Sequence, residues 1–219
     1  MNPPLTDVEV RILGSLLEKE VTTPDNYPLS PNALLAACNQ ISKREPVTQL
    51  DEGTLTEAVV ALRRRGLLRA IQPAGSRVTK YQHLLGERLE LDARPLALLG
   101  VLMLRGSQTV GELHARTARL AEFADLADVE ATLESLMARQ PESLVARLAR
   151  RPGQKEVRYA HLLSGDPVVA EADAHVPDPP ASWGGGDARI DELERAVESL
   201  RTELAAVRAE LTEFRSQFQ

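Results

Sequence analysis

Apolar residues recur three and four positions apart in several blocks of this chain, and proline- or glycine-containing breaks separate the blocks, a pattern of short amphipathic helices. Val8, Ile12, Leu13, Leu16 and Leu17 form the first stripe. Thr6 stands before it as an N-cap with Glu9 three residues on, a capping box that predicts a helix over 6–20. Pro24 and Pro28 keep TTPDNYPL out of helix, and Ser30 followed by Pro31 predicts a cap and a first helical residue, opening a helix over 31–39. After the connector QISKREPVTQ, Asp51 caps a third predicted helix with Leu55, Ala58, Val59 and Leu62 inward and Gly66 just past its end. LLRAIQ and VTKYQHL then flank the turn AGSR as a β-hairpin.

Three helices followed by a hairpin make a winged helix, the helix-turn-helix arrangement with a two-stranded wing. The order then repeats. Pro95 to Arg105 predicts an apolar helix containing Leu96, Leu98, Leu99, Val101 and Leu102, and Thr109 caps a short one containing Val110, Leu113 and His114. Asp128 is expected to open a third, with Val129, Leu133, Leu136 and Met137 inward, and a second hairpin turns at RRPGQK. YQHLL at Tyr81 to Leu85 returns as YAHLL at Tyr159 to Leu163, marking the last strand of each copy. The second copy lacks the TTPDNYPL insert and is longer in its turn and wing, where insertions are tolerated best. The expected fold class is mainly α with small β-hairpins: winged-helix domains over 1–86 and 87–165.

Beyond these, residues 166–188 are rich in Pro, Gly, Ala and acids without a period and read as a disordered linker, with Trp183 exposed and Gly184 to Gly186 a hinge. Residues 189–219 then carry a heptad seam: Ile190, Leu193, Val197, Leu200, Leu204, Val207, Leu211, Phe214 and Phe218. Ile190 and Val197 at a with Leu193 and Leu200 at d favour two parallel strands. The flanking charges agree, since a parallel pair sets Glu203 against Arg208 and Glu210 against Arg215 of the other chain, whereas an antiparallel pair opposes like charges. A homodimer through a parallel coiled coil is expected; the competing reading folds this helix back onto the winged helices.

Charge sharpens the division. Residues 1–86 hold 10 Lys and Arg against 9 Asp and Glu, residues 87–165 hold 11 against 11, and residues 166–219 hold 5 against 12, so the net −6 belongs to the tail. Any polyanion must therefore be met by a local patch. The N-terminus lacks a basic region followed by an apolar run, and no stretch approaches the roughly 20 apolar residues of a membrane span, so a cytoplasmic protein with no membrane contact is expected. With the single cysteine, Cys38, no intramolecular disulfide or cysteine-rich zinc site can form, and Cys38 reads as a small buried hydrophobe. The four histidines have no metal-ligand spacing, and Tyr81/His83 and Tyr159/His161 recur at equivalent strand positions, which suggests packing. No cofactor and no catalytic constellation is expected.

One run is distinctive. Tyr27-Pro28-Leu29-Ser30, Cys38-Asn39-Gln40, Arg44 with Pro46, and the Arg64-Arg65-Gly66 turn make the chain from Leu5 to about Leu163 resemble the YceH-like family of bacterial proteins. The resemblance implies a pair of winged-helix domains and frequently a C-terminal helix, and it assigns no activity. Lys43 and Ile41 depart from the family's usual connector.

Winged helices bind DNA by laying the third helix in the major groove and the wing against the adjacent backbone. The first copy offers Lys43, Arg44, Arg63, Arg64, Arg69, Arg77 and Lys80 for phosphates, while its outward third-helix face carries Gly53, Glu57, Val60 and Arg64. The second copy's equivalent face holds Ala127, Ala131, Glu134, Ser135 and Ala138, with no cation. The expectation is a dimeric regulator of transcription that contacts double-stranded DNA through its first domain. The alternative is an adaptor that uses winged helices to dock a protein partner.

Overall fold

Thr6 caps the first helix as its spacing predicts: its hydroxyl accepts from the Glu9 backbone at 3.2 Å, and the Glu9 carboxylate accepts from the Thr6 backbone at 2.9 Å. The computed structural model describes residues 3–73, 78–150 and 156–165. The linker at 166–188 and the heptad seam at 189–219 lie outside the described residues, as do residues 74–77 and 151–155 in the two hairpin turns.

The first half contains α1 (Asp7–Thr22), a 3₁₀ turn (Pro24–Asn26), α2 (Pro31–Cys38), α3 (Glu52–Arg64) and the strands β1 (Leu68–Ile71) and β2 (Lys80–His83). A five-residue helix, α4 (Leu85–Leu89), leads to the second half: α5 (Ala93–Arg105), α6 (Val110–Thr117), α7 (Leu126–Met137), β3 (Val145–Arg147) and β4 (Tyr159–His161). The protein is thus mainly helical with two small antiparallel hairpins. Leu68 is opposite His83 in the first and Val145 opposite His161 in the second. Ser30, Asp51 and Thr109 cap their helices as expected. The exception is α7, expected to open at Asp128 and found to open at Leu126. Asp125 is its cap, accepting from the Asp128 backbone, while the Asp128 carboxylate reaches back to the Ala124 backbone. Two aspartates three apart serve one helix start, and only the first can cap it.

The echoed YxHLL segments occupy equivalent places. Tyr81 exchanges both backbone hydrogen bonds with Leu29, the residue before the α2 cap, and Tyr159 does the same with Gln108, the residue before the α6 cap. Each hairpin is thereby pinned to the start of the second helix in its own half.

Burial is continuous across the repeat seam. One cluster of buried residues runs from Leu5 to Leu163 and draws on both halves, with α1 packed on α5 at its centre. Every residue from Ala97 to Leu104 is buried, so α5 is covered on all sides, the mark of a core helix rather than a surface one. A Cβ on Gly14 would meet Met103 and Leu104, and one on Gly100 would meet Leu17. Contacts that move up one helix while moving down the other mean that α1 and α5 are antiparallel. The segments Ile12-Leu13-Gly14-Ser15-Leu16-Leu17 and Leu98-Leu99-Gly100-Val101-Leu102-Met103 align glycine on glycine, so the helices meet about a pseudo-twofold axis. Ile12, Leu13, Leu16, Leu98, Leu99 and Leu102 are fully enclosed, each worth about 1.5–3 kcal/mol of apolar burial.

Candidate nucleic-acid interface

The connector between α2 and α3 begins and ends on one side chain. Asn39, the C-cap of α2, donates to the Leu50 carbonyl at 2.9 Å and accepts from the Leu50 backbone at 2.8 Å, closing the loop like a strand pair. Arg44 fills the space inside. Its guanidinium donates to the Ala37 carbonyl, the Lys43 carbonyl, the Gln40 amide oxygen and the Glu18 carboxylate, the last at 2.7 Å, and its side chain has no exposed surface. Arg44 therefore does not belong to the phosphate-facing set in which the sequence places it. A guanidinium with its donors committed to buried acceptors has nothing left for a phosphate, and extracting it would strand those acceptors.

Most of the distinctive run turns out to be architecture. The Tyr27 hydroxyl accepts from the His83 backbone at 3.0 Å, Leu29 bridges to Tyr81, Ser30 caps α2, and Thr48 donates to the Cys38 carbonyl. Cys38 is fully buried, and that burial pushes its thiol up to about 11, which keeps it protonated and inert. Arg65 belongs to the same scaffold, bonded to Glu9 and to the carbonyls of Pro3 and Pro4.

Lys43 has the opposite fate from its neighbour. With Arg44 turned inward, the backbone at Lys43 takes the left-handed conformation (φ 61°) and its side chain is exposed. It stands at the edge of a cleft of about 210 Å³ between the halves, together with Glu18, Arg105, Arg116 and Arg119. Arg105 comes from the last turn of α5, Arg116 from the last turn of α6, and Arg119 from just beyond it. The one acid among them, Glu18, is already paired with Arg44. Arg116 lies 3.7 Å from Glu112, which also holds Arg158. Among the described residues neither Arg105, Arg119 nor Lys43 has an acidic partner within ion-pair distance. Burial, and then the proximity of Arg116, lower the pKa of Arg105, as expected where cations converge without enough counter-charge.

The other predicted cations are dispersed. Arg63 and Arg64 are exposed in the last turn of α3. Arg69 on β1 is half-exposed and 3.6 Å from Glu87, and Lys80 on β2 is partly buried. Arg77 lies outside the described residues. The outward face of α3 presents Gly53, Glu57, Val60 and Arg64, and that of α7 presents Ala127, Ala131, Glu134, Ser135 and Ala138, as the helical periods require. Reading α7 alone, the sequence shows a half that has lost its cations; Arg105, Arg116 and Arg119 escape that reading because they reach the cleft from the ends of other elements. Their one sequence signal is that all three sit at or beyond helix C-termini, where basic residues are common for reasons of the helix dipole.

Two three-helix-and-hairpin units packed through α1 and α5, with a basic cleft at the junction, define a mainly helical scaffold with two small hairpins. The chain belongs to the family described as "Protein of unknown function, DUF480", whose model matches residues 5–154. It is similar to UPF0502 proteins across nearly its full length. It is 49% identical to one from Pelobacter propionicus over 218 residues, covering 98% of each chain, and 49% identical to one from Geotalea daltonii, covering 100% of each. With the UPF0502 protein YceH of Salmonella paratyphi B it shares 44% identity over 95% of this chain and 98% of the other. Among the described residues no helix is long and apolar enough to cross a membrane.

Proposed function

We propose that the protein is a tandem winged-helix DNA-binding protein, with each half one winged-helix domain, that it acts in transcriptional regulation, and that the junction cleft is where it grips the phosphate backbone. The observation that carries this reading is the convergence of Lys43, Arg105, Arg116 and Arg119 from both halves on a cleft whose one lining carboxylate, Glu18, is already paired with Arg44, with Glu112 shared between Arg116 and Arg158. A phosphodiester there would relieve cation–cation repulsion, which a solvated helix end does not experience. Arg63, Arg64 and Arg69 extend the set along the first half, and Arg64 is the only cation on the outward face of α3. Pairing of two chains through 189–219 would bring two such surfaces together and raise the effective concentration of the second once the first is bound.

The test is fluorescence anisotropy of the full chain with duplex DNA across a salt series. Affinity should fall steeply with ionic strength, and Arg119→Ala should lower it while reducing the slope of log K against log salt by about 1. Absence of binding at low salt would end this reading. It would favour the adaptor, whose support is the α7 face: Ala127, Ala131, Glu134 and half-exposed Leu126 make a small, apolar and acidic surface suited to a protein partner.

A further inference from the structure

The two histidines of the echoed strands sit at equivalent positions and have different company. In the first half, His83 Nδ1 accepts from the Leu85 backbone at 3.2 Å, so its Nε2 carries the proton and donates to the Glu20 carboxylate at 2.8 Å. Continuing the alignment of α1 with α5 from their shared glycines, the residue equivalent to Glu20 is Gly106. There α5 has already stopped, Gly106 is its C-cap, and nothing lies within 4 Å of where a Cβ would be. The carboxylate of the first half has no counterpart in the second. In its place is a cavity of about 200 Å³, and among the described residues His161 Nδ1 is buried in the protein without a hydrogen-bond partner.

A second donor lines the same cavity. Arg11, on α1, is 96% buried, as its relative exposure is 4%. One terminal nitrogen donates to the Pro46 carbonyl at 2.5 Å, and the other, Nη1, has no partner among the described residues. The charge that acts on it most strongly is another cation, Arg44, whose own carboxylate partner is Glu18. Among the described residues Arg11 makes no ion pair, and a buried guanidinium without one is costly, a cost that is recovered when an anion arrives within hydrogen-bond reach. The remaining walls are largely apolar, with Val8, Val10, Leu50, Leu102 and Met103, and the acids Asp7 and Glu45 also contribute.

We propose that this cavity is a binding site for a small organic monocarboxylate, whose carboxylate accepts hydrogen bonds from Arg11 Nη1 and His161 Nδ1, the two buried nitrogens without a partner among the described residues. The apolar walls take the acid's hydrocarbon body. Asp7 and Glu45 select for a single negative charge, because a phosphate dianion would be repelled by both. The site needs both halves, since α1 and the connector supply Arg11 and Pro46 while α5 and β4 supply Met103, Gly106 and His161. It stands independently of the DNA-binding reading.

Calorimetric titration of the full chain with acetate, hexanoate and benzoate, each beside its neutral amide, tests the site. Hexanoate or benzoate should bind saturably at one per chain, at least tenfold more tightly than its amide. Arg11→Met should reduce that affinity at least tenfold. Val8→Phe, which keeps Arg11 and fills the cavity, should do the same, so the site remains testable if Arg11→Met fails to fold. No saturable binding by any of the three acids, equal affinity for acid and amide, or undiminished affinity in Val8→Phe would each overturn the proposal.

Discussion

Gly14 and Gly100 hold the same place in the two halves, and each faces the other half's helix across the contact of α1 with α5. The contact is not equally tight on both sides. A Cβ on Gly14 would lie 3.0 Å from Leu104 and 3.2 Å from the Cβ of Met103, whereas one on Gly100 would lie 3.6 Å from Leu17. Both changes to alanine gain up to about 1 kcal/mol of helix propensity, but only Gly14→Ala incurs an overpacking cost of about 1–3 kcal/mol. Urea unfolding of the two variants should show Gly100→Ala as stable as the parent or more so, and Gly14→Ala less stable.

Lys43 and Arg44 are adjacent and should respond oppositely. Arg44→Ala leaves Glu18, Gln40 and the Ala37 carbonyl without their donor and should cost about 3–5 kcal/mol, read as a lower denaturant midpoint. Lys43→Gly removes a charge while placing glycine where φ is 61°, so stability should hold or rise by up to about 1 kcal/mol. Duplex-DNA affinity should fall all the same.

His161 should make the protein sensitive to mild acid. Burial lowers its pKa from 6.5 to about 4, with the Asp7 carboxylate opposing the shift, so the folded state keeps the ring neutral. Between those values the unfolded chain binds a proton that the folded chain does not. Stability is therefore fully present above about pH 6.5 and is lost as the pH falls toward 4, by about 3 kcal/mol from this group. Denaturant unfolding at a series of pH values should show that loss in the parent and a shallower one in His161→Gln.

The heptad seam predicts a change of mass. By light scattering, the full chain should be a dimer and a chain ending at Leu163 a monomer. Equal association states would discard the coiled coil.

Local signals made the helices legible. Thr6 with Glu9, Ser30 with Pro31, Asp51 and Thr109 are caps whose chemistry acts within three residues, so the chain announces them without its tertiary context. The α7 start was misplaced because Asp125 and Asp128 are chemically alike. The turn at Pro24–Asn26 and the helix α4 were not foreseen, being too short to show a period. The near-complete apolarity of Leu96 to Leu104 was readable and carried more than a helix: a segment apolar on every side must be covered on every side, here by α1, α6, α7 and β4. For the candidate interface, reading by sequence adjacency put Arg44 beside Lys43 as a second surface cation, whereas the left-handed backbone at Lys43 sends the two side chains apart. Arg105, Arg116 and Arg119 could not be gathered from the sequence because the packing of α6 on α5 brings them together, and that of α1 on α5 adds Lys43 to the same cleft.

That packing also ties the fates of the two copies. Segments that do not touch ordinarily drift at their own pace. Here any increase in bulk at position 14 has to be matched by a decrease at 103 or 104, so substitutions in the first copy are admissible only on terms set by the second, and the pair must evolve as a single unit.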